Sequence, residues 1–402
     1  MAGVAHQARM VGVDDARMPR VDYWLVVSVM VLATLGLVMV ASASITFADR
    51  ELGQPFYYAF RQAIFIALGL ALGVLLFKVR LVDLERLGMV LLLSAIAMLL
   101  LVLVPGVGVE VNGAARWMNA GLFRLQVSEP AKLMFIVYLA SYLARHGDEV
   151  RTRISGFMKP VGLLAIAALL LLLEPDFGAT VVLTATVMGM IFMAGVKLVQ
   201  FSGALGLAGL LLASLAVSSP YRMHRLTTFM DPWADPFDSG FQLTQSLIAI
   251  GRGEWFGVGL GASIQKLFYL PEAHTDFVFA VLAEELGLMG VCLIIVLYVV
   301  LVWRAFVIAA QAVRAENLFA AYLAYGIGIW FGLQSFINVG VNMGLLPTKG
   351  LTLPLMSYGG SSMIVMCAAV ALLLRIDYET RCTATGMSAS GIAAATRKRS
   401  AA

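Results

Sequence analysis

Residues 277–302, FVFAVLAEELGLMGVCLIIVLYVVLV, form an apolar run interrupted by only two charges, Glu284 and Glu285. A helix of about 20 residues crosses the hydrocarbon core of a bilayer, so a run of this length reads as a membrane span. The rest of the 402-residue chain repeats the pattern. Hydrophobic residues make up 61% and charged residues 13%, with a mean hydropathy of +0.90, far from the balance of a water-soluble domain. Counting runs against the length of a bilayer crossing gives ten candidate spans. They are 23–43, 59–77, 87–104, 129–144, 160–174, 176–195, 200–217, 277–302, 318–341 and 354–375. The fourth and fifth are short, and one span is open to being broken or re-entrant. The expected fold is an all-α polytopic membrane protein of about ten transmembrane helices.

Ala41-Ser42-Ala43 imitates a signal-peptidase site, but the apolar core before it is longer than a signal peptide allows. The first helix is therefore read as retained. Lys and Arg then set the orientation. With the N-terminus inside, the cytoplasmic segments carry 18 of them and the outer segments 8, and half of those eight sit in one long loop. Both termini are expected in the cytoplasm. Residues 1–22 and 377–402 are read as cytoplasmic tails, the second disordered, around a helical domain at 23–376. The net charge of +4 follows from this arrangement and shows no basic face for nucleic acid. Cys292, Cys367 and Cys382 imply no disulfide framework, and the four histidines pair with no cysteine to make a zinc site.

Two outer loops are substantial. One is 105–128. The other, 218–276, lies between helices seven and eight and is too long for an ordinary connection. Phe241, Leu243, Leu247, Ile248 and Ile250 in it predict a short amphipathic helix at the membrane interface, and GVGLGAS offers backbone able to approach a ligand closely.

Three polar clusters face the outer leaflet. The first is YLPEAHTDF, residues 269–277, where Asp276 either caps the eighth helix or serves a site, and His274 is either structural or a hydrogen-bonding neighbour. Below Asp276, Ala280, Ala283, Gly287 and Gly290 permit close helix packing or line a cavity. Glu284 and Glu285 are adjacent, point about 100° apart and read as separate buried ion pairs. The second is RWMNAGLFRLQVSEPAKL, residues 116–133, with Arg116 in the loop and Glu129 and Lys132 at the i, i+3 spacing of a salt bridge. The third is PTKGLTLPLMSYGGSS, residues 347–362, with Lys349 before the tenth helix and Ser361 at its start. Glu174-Pro175-Asp176 reads as a tight outer turn without chemistry. Acids and cations around one apolar cavity suit an anionic or glycan-bearing lipid; the reaction itself is not visible in these residues.

Those stretches, with DPWADPFDSGFQLTQSLIAIGRGEWFGVGLG at 231–261, resemble the SEDS family (shape, elongation, division, sporulation) across about 23–376. The WADPF loop and PTKGLTLP favour its division branch over its elongation branch. One departure is Gln126-Val127-Ser128-Glu129 where the family commonly reads Gln-Pro-Ser-Glu. The resemblance implies a peptidoglycan glycosyltransferase that polymerises lipid II on the outer face of the cytoplasmic (inner) membrane at the division septum. It also implies partnership with a class B penicillin-binding transpeptidase (FtsI-like) and with FtsQ, FtsL and FtsB.

The expected mechanism has Asp276 as general base on the acceptor 4-hydroxyl, with inversion at the donor's anomeric carbon. Arg116, Lys132 and Lys349 are the candidate pyrophosphate cations, Glu129 orients Lys132, and Ser128, His274 and Ser361 complete the substrate-binding set. A divalent cation, Mg or Mn, is the only cofactor considered, and no ligand cluster marks it. The alternatives are a lipid II flippase, which needs charged groups on both sides of its cavity, and a non-catalytic scaffold for the transpeptidase.

Overall fold

A computed structural model describes residues 21–384, except 112–113, 120, 122–123, 218–222, 224–227, 238–239 and 348–349. The ten predicted spans correspond to α1 (Tyr23–Leu52), α2 (Tyr57–Lys78), α4 (Gly88–Val102), α5 (Ser128–Thr152), α6 (Ile154–Leu173), α7 (Phe177–Met193), α8 (Leu198–Val217), α10 (Val278–Arg314), α11 (Leu318–Asn342) and α12 (Gly360–Ala384). A one-turn-and-a-half helix, α3 (Leu81–Arg86), links α2 to α4, and α9 (Phe241–Arg252) is the amphipathic helix expected in the long loop. Among the described residues six helices, α1, α2, α6, α10, α11 and α12, are long and apolar enough to cross a bilayer; α4, α7 and α8 are shorter apolar helices.

Lipid solvates apolar side chains as well as a protein interior does, so close packing and polar contacts hold such helices together. Gly69 and Gly73 of α2 meet Cys367 and Ala371 of α12; a side chain at Gly69 would come within 2.9 Å of Cys367 Sγ. At one end of the molecule, Asp22 caps α1 through Leu25 N at 2.9 Å and pairs with Arg304 of α10. Arg381 of α12 joins them, 3.6 Å from Asp22 and 2.7 Å from Asp377. The start of α1 and the end of α12 therefore lie at the same end of the bundle.

Several boundaries move, each for a local reason. α1 runs on to Leu52 and stops at Gly53, whose φ of 64° closes the helix in the left-handed conformation. α12 starts at Gly360 rather than 354, because 353–357 form a turn in which Leu353 N donates to Ser357 Oγ at 2.8 Å. The eighth span is broken as well as the fourth. α10 covers 37 residues but has φ 65° and ψ −165° at Gly287, which separates a short first half from a long second half. The fourth span, α5, has one non-helical residue, His146, near its far end.

The segment 253–259 seals the break in α10. Val258 N and Gly259 N donate to the carbonyls of Glu284 and Glu285 at 2.9 and 3.1 Å, and Leu288 N and Met289 N donate to Glu254 and Trp255 carbonyls at 2.9 and 3.2 Å. Four groups orphaned by the break are thereby satisfied, which makes interrupted backbone tolerable in a membrane protein. The start of the glycine-rich stretch approaches a helix closely: a side chain at Gly257 would run into the carbonyl of Glu285.

The 105–128 connection is not a simple loop. β1 (Gly108–Val111), β2 (Ala114–Asn119) and β3 (Arg124–Gln126) form an antiparallel sheet in that order, with Trp117 opposite Gln126. The strands are too short, and too mixed in composition, to show an alternation.

Candidate active site at the outer mouth

Asp276 sits in the turn that enters α10, yet it does not cap the helix. The N-cap is Phe277, without a side-chain bond, and helix starts at Val278. The residue is held through its backbone instead: Asn338 Nδ2 and Asn342 Nδ2 of α11 donate to its carbonyl at 3.0 and 3.1 Å. Its carboxylate faces the 350 loop, where a side chain at Gly350 would lie 3.2 Å from Asp276 Oδ2. Asp276 is half-buried.

From Asp276 one polar network crosses the mouth. Asn338 also donates to the carbonyl of Leu351, and Gln334 Nε2 donates to that of Thr352 at 3.0 Å. Gln334 Oε1 accepts from Lys132 Nζ at 2.9 Å and from Trp330 Nε1 at 2.8 Å. Lys132 completes its pair with Glu129 at 2.9 Å and is only 1% exposed. Its charge is thus spent on Glu129 and Gln334, and Glu129 does orient it; Glu129 Oε2 is buried without a partner.

Arg116, on β2, points Nε at the carbonyl of Glu174 (3.2 Å) and one terminal nitrogen at that of Pro175 (2.5 Å). Ser128 Oγ donates to Asp176 Oδ2 at 3.0 Å, and Ser361 Oγ accepts from Gln126 N at 3.1 Å. Both serines are buried, and they tie β3 and α5 to the α7 and α12 starts. The 174–176 turn, read from sequence as inert, is therefore a junction of the site. Asp176 Oδ1 caps α7 through Ala179 N at 3.1 Å. Lys349 lies outside the described residues.

Val127, the departure from the common family pattern, has φ −67°, the value a proline ring imposes. Its N–H donates to the carbonyl of Arg116 at 3.2 Å, a bond proline could not make. Entry to α5 is therefore unaltered and gains one tie to β2.

His274 is structural in its contacts. Its ring packs on Tyr58 (4.6 Å between centroids), Tyr358 (5.6 Å) and Phe47 (5.9 Å), and its carbonyl accepts from Tyr358 N at 2.9 Å. Burial lowers its pKa below 6.5, against a weaker opposite pull from Glu272. Glu284 and Glu285 are the expected separate pairs. Glu284 binds Arg252 at 3.0 Å, Ser263 Oγ at 2.5 Å and Ile264 N at 3.1 Å; Glu285 binds Lys266 at 2.8 Å and Ser42 Oγ at 2.7 Å. Both fasten the 252–266 segment to the first half of α10.

Gln334, Asn338 and Asn342 escaped the sequence reading, although a signal was present. They recur at i, i+4 and i+8 in an otherwise apolar span, which places them on one face.

Comparison with known proteins agrees with this architecture. The cell cycle protein model named for FtsW, RodA and SpoVE matches residues 23–382. The chain is 62% identical, over 90% of each sequence, to a protein of Thioalkalivibrio sulfidiphilus described as a probable peptidoglycan glycosyltransferase FtsW. It is 60% identical to the protein of that description from Nitrosococcus halophilus, over 90% of this chain and 94% of that one. Among solved structures, a chain reported under structural coordination of polymerization and crosslinking by a peptidoglycan synthase complex superposes with a TM-score of 0.74. The two share 31% identity, over 90% of this chain and 98% of that chain. The rod shape determining protein RodA of Thermus thermophilus superposes with a TM-score of 0.64 at 29% identity, over 89% and 96%.

Proposed function

The chain belongs to the cell cycle protein family of FtsW, RodA and SpoVE, and from that premise we propose that Asp276 is the general base of its glycosyltransfer reaction. The protein is an integral-membrane peptidoglycan glycosyltransferase of the cell-division branch. Its substrate is lipid II, a disaccharide–peptide carried on a lipid pyrophosphate.

Polymerisation joins the acceptor sugar's 4-hydroxyl to the donor's anomeric carbon. The hydroxyl oxygen forms the new C–O bond as the bond to the lipid pyrophosphate breaks, with inversion, and the hydroxyl proton passes to a base. The observation that carries Asp276 is its placement: a half-buried carboxylate at the mouth whose backbone is clamped by two asparagines of α11. Clamping the main chain fixes where the carboxylate stands at the mouth, the positioning a general base needs.

Arg116 supplies positive charge on the donor side as the pyrophosphate departs, with Lys349 as a second candidate cation. Lys132, paired with Glu129 and bonded to Gln334, holds the mouth in shape and adds no net charge. A divalent cation would draw most of its ligands from the pyrophosphate, since no three His, Cys, Asp or Glu side chains converge among the described residues. We assign the end carrying Asp22, Arg304 and Arg381 to the cytoplasm and Asp276 to the outer face; the septal location rests on the division-branch reading alone. A class B penicillin-binding transpeptidase and FtsQ, FtsL and FtsB are the proposed partners.

The deciding experiment assays glycan strands formed from lipid II in liposomes, with and without the transpeptidase, for the native protein and Asp276→Asn. Loss of about 100-fold or more in rate, with folding and partner binding intact, is expected for removal of a general base. Near-native polymerisation by that variant would remove Asp276 from the role. Lipid translocation without polymer would replace the enzyme reading by a flippase.

A further inference from the structure

The turn under the outer sheet holds a carboxyl group that the reaction above does not use. Glu174 ends α6 and is 0% exposed, and neither of its carboxyl oxygens has a hydrogen-bond partner. Two residues on, Asp176 is also buried but well supplied: it accepts from Ser128 Oγ, from Gln126 Nε2 at 3.5 Å and from Ala179 N. The nearest cation, Arg116, spends its donors on the carbonyls of Glu174 and Pro175 rather than on either carboxylate.

Two acids on one buried turn cannot both ionise cheaply, and the proton settles on the one that lacks donors. Burial raises the Glu174 pKa to about 8, with Asp176 adding to the rise and Arg116 opposing it. The charged groups acting on Glu174 are these two, one on its own turn and one on β2. Gln126 of β3 and Ser128 of α5 are uncharged, and Glu129 and Lys132 of α5 neutralise each other.

We infer that Glu174 is a proton-bearing positioning residue whose neutral carboxyl lets the 174–176 turn hold Arg116 and Ser128 in place at the mouth. When the proton leaves to water, the bare carboxylate draws the Arg116 guanidinium away from the two carbonyls. β2 and the start of α5 then lose their shared anchor. The inference rests on the reading of this mouth as the glycosyltransfer site, and it adds a regulating proton to that site.

The test compares the native protein with Glu174→Gln, which mimics the protonated acid in shape and charge. A group with a pKa of about 8 passes from about 90% to about 10% protonated between pH 7 and pH 9, so native polymerisation falls about tenfold over that range. The variant should match the native rate at pH 7 and keep it at pH 9. A structural measurement runs beside the assay: hydrogen exchange of the β2 amides should rise above pH 8 in the native protein relative to Glu174→Gln. The inference is overturned if the variant shows the same alkaline fall, if it is folded but inactive at pH 7, or if the exchange profiles coincide. An exchange difference in a protein that makes no polymer would keep the proton site and sink the function assigned to the mouth.

Discussion

Asp276 and Lys132 show how differently two charged residues of one mouth are used. Asp276 is half-buried and held through its main chain, whereas Lys132 is sealed between Glu129 and Gln334. Removing one member of a buried pair costs about 3–5 kcal/mol, because the other charge is left unpaired. Lys132→Met should therefore unfold at a clearly lower temperature in detergent, and Lys132→Met combined with Glu129→Gln should recover most of the loss. If the double variant is as unstable as the single one, the pair is not the source. Asn338→Ala removes donors from both Asp276 and Leu351 carbonyls; kcat should fall more than substrate binding, as expected for lost positioning of the base. His274 has a folded pKa below 6.5, so the unfolded chain takes up the proton first as the medium acidifies. Stability should drop from about pH 6.5 downward, and His274→Phe, which keeps the ring packing, should flatten that acid limb. Glu174 has the opposite sense. Its contribution is complete below its ordinary value of 4.5 and is lost as the pH climbs to about 8.

At the scale of the element, the informative feature is the break in α10. A half-helix of less than three turns carries Asp276 at its entrance, and it is bonded to the 252–266 segment rather than to the helix below. Glu284 and Glu285, adjacent and so pointing to different sides, grip that segment through Arg252 and Lys266. Gly287 has a φ of 65°, and a side chain there would meet the backbone of Gly253 and Gly257. Gly287→Ala should therefore lower thermal stability by more than the roughly 1 kcal/mol that glycine-to-alanine changes usually involve, and should depress polymerisation by displacing Asp276. A variant with native stability and native activity would mean that the break does not position the acid.

On the scale of the whole molecule, the polar groups divide between two ends. Asp22, Arg304, Asp377 and Arg381 join three helices at one end, while Asp276, the Glu129–Lys132 pair and the outer sheet lie at the other. This separation predicts a labelling pattern. With Cys292, Cys367 and Cys382 replaced, Glu254→Cys in the outer segment should react with a membrane-impermeant maleimide on whole cells whose outer membrane has been permeabilised. Arg314→Cys, at the far end of α10, should react only after the inner membrane is opened. The reverse order would invert the topology.

How much of this was legible in advance follows from the range of each interaction. Hydrophobic runs, the i, i+3 spacing of Glu129 and Lys132 and the adjacency of Glu284 and Glu285 are local, so the ten spans, the amphipathic helix and three ion pairs could be reasoned from the chain alone. Asp276 was singled out too, but its role as a helix cap was not realised, because the helix starts at Val278 with Phe277 in the cap position, and asparagines some 60 residues away hold the Asp276 carbonyl instead. The chain by itself thus determined a polytopic bundle with polar clusters at one mouth. Only the tertiary structure decided which groups meet there: the 174–176 turn under Arg116, the α11 stripe behind Asp276, and the glycine-rich segment in the α10 break. Membrane hydrophobicity sorts residues by depth without choosing their neighbours, and that choice falls to buried hydrogen bonds formed between distant segments.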